Sequence, residues 1–151
     1  MIEVDDLKSV TMLGYINDSM LRKVAKITSI TSYTSGKYIF KEGDYAEYLY
    51  SIIDGKVGLE LEKKSSTLVL INTITRGMTF GFSALVDTEE KKYTSNAKAL
   101  TETKLFVWKG AELEKLFYQD YEMGYLLMKR IAKIAKTRLQ IRNVQLLDIY
   151  K

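Results

Sequence analysis

Glycines Gly36, Gly43, Gly55, Gly77 and Gly81 divide the stretch from Ile30 to Lys109 into short β-rich runs. The chain contains no proline, so every turn must be made by Gly, Asn, Asp, Ser or Thr, and these glycines mark where it can reverse. After Gly55, Val57, Leu59 and Leu61 alternate with Lys56, Gly58, Glu60 and Glu62, the pattern of a half-buried strand. Lys63 to Ser66 makes a polar hairpin tip, and Leu68–Ile74 is the returning strand. Tyr48–Ile53 and Leu105–Trp108 are apolar on both parities, as strands covered on both faces are, which puts Trp108 in the core. Glu42-Gly43-Asp44 is a tight-turn signal in which glycine is free to take positive φ, and Asp54-Gly55 is a two-residue hairpin signal between the strands on either side of it. About eight short strands at this spacing imply an antiparallel barrel, a jelly roll or a sandwich.

Helical texture flanks this region. Val4 to Ile27 reads as short helices, with Asp18 or Ser19 capping a helix whose apolar face is Met20, Leu21, Val24, Ala25 and Ile27. From Ala111 the period is helical again: Glu112–Phe117 predicts a short helix and Tyr121–Tyr150 one long helix. At 100° per residue, Met128, Ile131, Ala132, Ala135, Leu139, Leu146 and Ile149 cluster on one face. Met123, Leu127, Ile134 and Ile141 form a second stripe. One stripe can cover the protein's own β-body, and the other needs a cover that a twin helix from a second copy would supply. The competing reading is one wide stripe on one wide surface.

Composition narrows the function. A chain of 151 residues, 46% apolar and 28% charged, is ordinary for one globular domain around a single core. Its apolar runs are only a few residues long, which predicts a cytoplasmic protein with neither a membrane span nor a secretory leader. Without cysteine, disulfides, thiolate metal sites and thiol nucleophiles are excluded. Without histidine, the Ser-His-Asp triad and imidazole-bound metals are excluded as well. A binding module is therefore expected, with no catalytic and no metal-ligating residue assigned. Glu112 and Glu114, Asp5-Asp6 and Glu89-Glu90 read as surface carboxylates. Residues 121–151 carry seven basic side chains, among them Arg138, Arg142 and Lys151, against Glu122 and Asp148. Within that segment Lys129-Arg130, Lys133 and Lys136 read as a solvated basic face, since no base-reading set accompanies them.

The segments Ser35–Asp44 (SGKYIFKEGD), Tyr48–Leu59 (YLYSIIDGKVGL), Thr75–Asp87 (TRGMTFGFSALVD) and Asn96–Leu100 (NAKAL) together resemble the cyclic-nucleotide-binding domain of the CRP/FNR superfamily. The joint spacing of Gly36, Glu42-Gly43-Asp44, Gly55, Phe80-Gly81 and Ala84-Leu85 carries the resemblance, which with the flanking helices covers nearly the whole chain. It implies a mainly β fold with α, a double-stranded β-helix (jelly-roll β-roll) flanked by N-terminal helices and a long C-terminal helix. One domain over residues 1–151 follows, with helices at 1–27, the β-roll at 28–109 and helices at 110–151.

The resemblance makes Gly81–Val86 the phosphate-binding cassette, whose helical N–H groups face a cyclic phosphate. In the family a Glu after the glycine accepts from the ribose 2′-hydroxyl, and an Arg on the following strand, then Ser or Thr, pairs with the phosphate. Here Phe82 stands at the Glu position and Tyr93, followed by Thr94, at the Arg position. Hydrogen bonds to charged groups are worth about 1.5–3 kcal/mol each, so losing two weakens cAMP by roughly two to four orders of magnitude. Alternation along a strand through Tyr93 puts Lys91 and Ser95 on its face, with Ala97 and Ala99 also inward and Thr94, Asn96 and Lys98 outward. Lys91 either delivers a cation to the cassette or is a solvated loop charge. The small inward residues predict a cavity, which Phe82 and Tyr93 together could fill as an aromatic plug.

The candidate site is thus Gly81, Phe82, Ser83, Ala84, Tyr93, Thr94 and Lys91, with no cofactor beyond a cyclic nucleotide or another small anionic ligand. The function expected is a regulatory or sensor module, a homodimer through residues 121–150, with a degenerate cassette that binds cAMP and cGMP weakly or not at all. The alternative is a ligand-independent interaction or scaffold protein. Because the sequence ends at Lys151, no helix-turn-helix and no direct DNA binding are expected.

Overall fold

The structure, a computed structural model, describes residues 1–150; Lys151, counted above in the basic tail, lies outside them. Helix α1 (Val4–Leu7) and a single 3-10 turn (Thr11–Leu13) precede α2 (Asp18–Lys26). Asn17, not Asp18 or Ser19, caps α2, its Oδ1 accepting from the Met20 N–H at 2.9 Å. Three consecutive residues of capping type stand there, and the first of them takes the extended backbone that a cap requires.

Eight strands follow: β1 (Ser29–Tyr33), β2 (Tyr38–Phe40), β3 (Tyr48–Asp54), β4 (Val57–Glu62), β5 (Leu68–Ile74), β6 (Thr79–Phe80), β7 (Asn96–Ala99) and β8 (Thr103–Lys109). They form two four-stranded antiparallel sheets, in the orders β1-β8-β3-β6 and β2-β7-β4-β5. This is the expected jelly roll. The β4–β5 hairpin has the expected bounds, with a register shift between Leu59 and Glu60. Asp54-Gly55 closes no hairpin: β3 and β4 lie in different sheets, so this turn carries the chain from one sheet to the other. Large buried side chains of the strands (Leu49, Ile52, Phe80, Leu105 and Trp108) share one core with Leu7 and Met12 from the N-terminal segment. Trp108 is buried there, donating its indole N–H to Thr28 Oγ1 at 2.6 Å.

Helix α3 (Gly110–Gln119) and the long α4 (Tyr121–Ile149) close the core with Leu113, Met123, Leu127 and Ile131. Asp120 caps α4, its Oδ1 accepting from the Met123 N–H at 3.1 Å; that bond, ahead of the nearby Lys23, lowers its carboxyl pKa. The stripe Met123, Leu127 and Ile134 faces the body, as one of the two stripes was expected to do, but Ile131 joins it and Ile141 does not. Lys129, Lys133 and Lys136 of the basic face are exposed, as expected, and Arg130 is half-buried. Arg130 Nε donates to the Thr11 carbonyl at 3.0 Å, and both Arg130 and Lys133 donate to the Tyr15 hydroxyl at 3.3 Å, tying α4 to the N-terminal segment.

Candidate functional site

Backbone geometry builds one wall of the site. Strand β6 pairs with β3 through Tyr50 opposite Phe80 and Ser51 opposite Thr79. The chain then turns at Gly81, whose φ of +84° is left-handed and suits glycine because a side chain there is strained. A single 3-10 turn, Phe82–Ala84, follows. Ala84 is wholly buried and is not among the residues that line the cavity, and a Cβ on Gly110 would overlap its carbonyl oxygen. That contact locks the turn against the start of α3.

The opposite wall is aromatic. Tyr93 lies three residues before β7, held by its own N–H donating to the Asp44 carbonyl at 3.0 Å and its carbonyl accepting from Gly43 N–H at 2.9 Å. This pairing with the Glu42-Gly43-Asp44 turn keeps the alternation in phase, so Tyr93, Ser95, Ala97 and Ala99 are buried. The Tyr93 ring stacks on Phe40 at 3.6 Å between centroids and 7° between planes. Its hydroxyl donates to the Tyr48 carbonyl at 2.6 Å and accepts from the Tyr48 N–H at 3.1 Å. Burial pushes the phenol up to about 12, against the opposing pull of the Tyr48 backbone bond. Behind this pair, Tyr50 and Phe80 stack at 5.3 Å, and burial raises the Tyr50 phenol as well.

Between the walls is a cavity of about 150 Å³. Of the predicted site residues, Gly81, Phe82, Ser83, Tyr93 and Thr94 line it. Ala84 and Lys91 do not; the Lys91 ammonium instead lies 6.0 Å from the centre of the Tyr45 ring. Phe82 and Tyr93 do not form a joint plug, because Tyr93 goes to Phe40 while Phe82 takes a different partner. That partner is Arg138 of α4, its guanidinium carbon 5.4 Å from the centre of the Phe82 ring.

Arg138 was missed as a site residue. Its Nη2 donates to the Thr79 carbonyl at 2.6 Å, and its Nε is buried without a hydrogen-bond partner, the only such side-chain atom among the described residues. An unsatisfied buried donor costs about 1–3 kcal/mol, and more when charged. Burial lowers the Arg138 pKa, yet a guanidinium stays protonated in any ordinary protein site. The signal that could have found it is spacing. At 100° per residue, positions 123, 127, 131, 134, 138 and 142 fall within roughly 100° of arc, and the last two are arginines on an otherwise apolar, body-facing stripe.

Residues 30–120 match the family model for the cyclic nucleotide-binding domain. Over 100 residues the chain is 31% identical to the cGMP-dependent protein kinase, isozyme 1, of Drosophila melanogaster, covering 65% of this chain and 13% of the kinase. Over 120 residues it is 28% identical to the cAMP-activated global transcriptional regulator Vfr of Pseudomonas aeruginosa, covering 78% of this chain and 56% of that regulator. This chain therefore spans just over half the length of one curated relative and a small part of the other. A cyclic nucleotide-binding domain from Methylobacillus flagellatus superposes with a TM-score of 0.84 over 96% of this chain and 84% of that one, at 14% identity, a likeness of fold.

Proposed function

The chain belongs to the cyclic nucleotide-binding domain family, and from that premise we propose that it is a non-enzymatic, cytoplasmic regulatory module that binds cAMP and cGMP weakly or not at all. Residues 1–27, 28–109 and 110–151 work in this reading as one unit. The observation that carries it is Tyr93, at the position where the family resemblance implies an arginine. Its ring is stacked on Phe40 and its hydroxyl already serves both backbone groups of Tyr48. At the acid position Phe82 offers no acceptor. Calorimetric titration with each cyclic nucleotide tests the proposal: silence up to millimolar concentration supports it, and micromolar binding overturns it. The double variant F82E/Y93R should gain measurable cAMP affinity if these two groups are what is missing.

The module is further proposed to be a homodimer through α4. Ala132 and Ala135 are exposed, and Leu139, Leu146 and Ile149 are 60%, 51% and 75% exposed. A stripe of this kind is self-complementary when two copies of the helix run side by side. Sedimentation equilibrium should give twice the chain mass, and L139E should shift it toward the monomer. A ligand-independent scaffold is the second reading, favoured by the aromatic stack that forms the strand wall of the cavity. Dimerisation unaffected by any small anion would select it. Among the described residues no helix is long and apolar enough to cross a membrane.

A further inference from the structure

The cavity differs from an inert void in its chemistry. Ser83, Thr94, Ser95 and the Arg138 guanidinium line it, and no carboxylate does. Among the described residues, no acidic side chain lies within ion-pair distance of Arg138. One guanidinium arm is committed to the Thr79 carbonyl, the guanidinium carbon lies 5.4 Å from the centre of the Phe82 ring, and the Nε proton has no acceptor. A cation held this way, beside hydroxyls and away from carboxylates, is matched by an oxyanion, which accepts two parallel N–H bonds from the guanidinium fork. Size limits the ligand. Pockets for drug-sized molecules run to about 300–1,000 Å³, so a cavity of about 150 Å³ takes an anionic head group and not a whole nucleotide.

We propose that Arg138, supplied by α4, is the anion anchor of this pocket, binding a phosphate-like oxyanion in place of the cation that the Tyr93 position lacks. The inference rests on the reading above that the strand cation is absent, and it names the ligand chemistry of the same site. It also gives ligand occupancy a route to the helix. An anion drawing the guanidinium from the Thr79 carbonyl pulls directly on α4, the element proposed to carry the dimer seam.

The test is phosphate-dependent thermal stability at constant ionic strength, with ³¹P line broadening as a second readout, on the wild type, R138Q, R138K and the control K91Q. Inorganic phosphate should raise the Tm and broaden the ³¹P line in wild type and K91Q. Apparent affinity should fall by about tenfold or more in R138Q and by less in R138K, which keeps the charge without the fork. A parallel cAMP titration separates free phosphate from a nucleotide phosphoryl group as the source. Phosphate binding lost in R138Q, with cAMP silent, supports the anchor and the weak-nucleotide reading together. Micromolar cAMP binding lost in R138Q supports the anchor and overturns the weak-nucleotide reading. No response of the wild type to phosphate or cAMP overturns the anchor and leaves that reading standing. An equal response in wild type and R138Q also overturns the anchor.

Discussion

The two walls of the cavity differ in how fully they are satisfied. On the strand side, Tyr93 has a stacked ring and a hydroxyl with both a donor and an acceptor in the Tyr48 backbone. On the helix side, Arg138 makes one bond to Thr79 and leaves Nε without a partner. Folding energy is therefore concentrated in the first wall. The second holds a charge whose hydrogen-bonding capacity is only partly used, the usual condition of a group that serves something besides the fold.

Breaking the strand wall should cost most. Phe40→Ala removes a buried ring that touches Tyr93, Tyr50 and Phe80, and urea denaturation should report a loss of about 3–5 kcal/mol. Tyr93→Phe keeps the stack but strips both Tyr48 backbone groups of their partner, for about 1–3 kcal/mol by the same measurement. On the helix wall, Arg138→Met loses one hydrogen bond while removing an unsatisfied donor, so its net cost should be about 1 kcal/mol or less. A cost near that of Phe40→Ala would erase the contrast between the walls. The smallest effect concerns pH. Tyr93 titrates at about 12 in the folded protein, above its ordinary value of 10.0. Its neutral form therefore contributes fully below about pH 10, and that contribution is lost as pH rises toward 12. Stability curves of Tyr93→Phe should lack this part of the alkaline decline, and tyrosinate absorbance should show the delayed phenol directly.

Much of the scaffold is legible in local sequence because its causes are local. The β4–β5 hairpin follows from alternation and the polar tip at Lys63–Ser66, and α4 from a proline-free run of strong helix formers. Ambiguity begins where neighbours compete, as with Asn17, Asp18 and Ser19 at the start of α2. Alternation through Tyr93 identifies its inward face correctly, although β7 begins only at Asn96, because the preceding residues pair with a turn and not with a strand. Lys91 shares that alternation and still misses the cavity, since its carbonyl pairs with the Ala46 N–H and its ammonium lies near the Tyr45 ring. Arg138 is the hardest to read. Its role depends on a contact with Thr79, 59 residues away, and a charge count of the C-terminal segment does not distinguish a side chain laid across the β-roll from one in solvent.

Gly110 has a mechanical consequence. Because no side chain fits between it and the Ala84 carbonyl, and its N–H is pinned to Glu47 at 3.0 Å, the joint between the 82–84 turn and α3 has no slack. Segments separated by more than two dozen residues of sequence are keyed together like a tooth in a slot. Any side chain at position 110 would have to part the 82–84 turn from the first residue of α3, the helix that a single residue, Asp120, joins to α4.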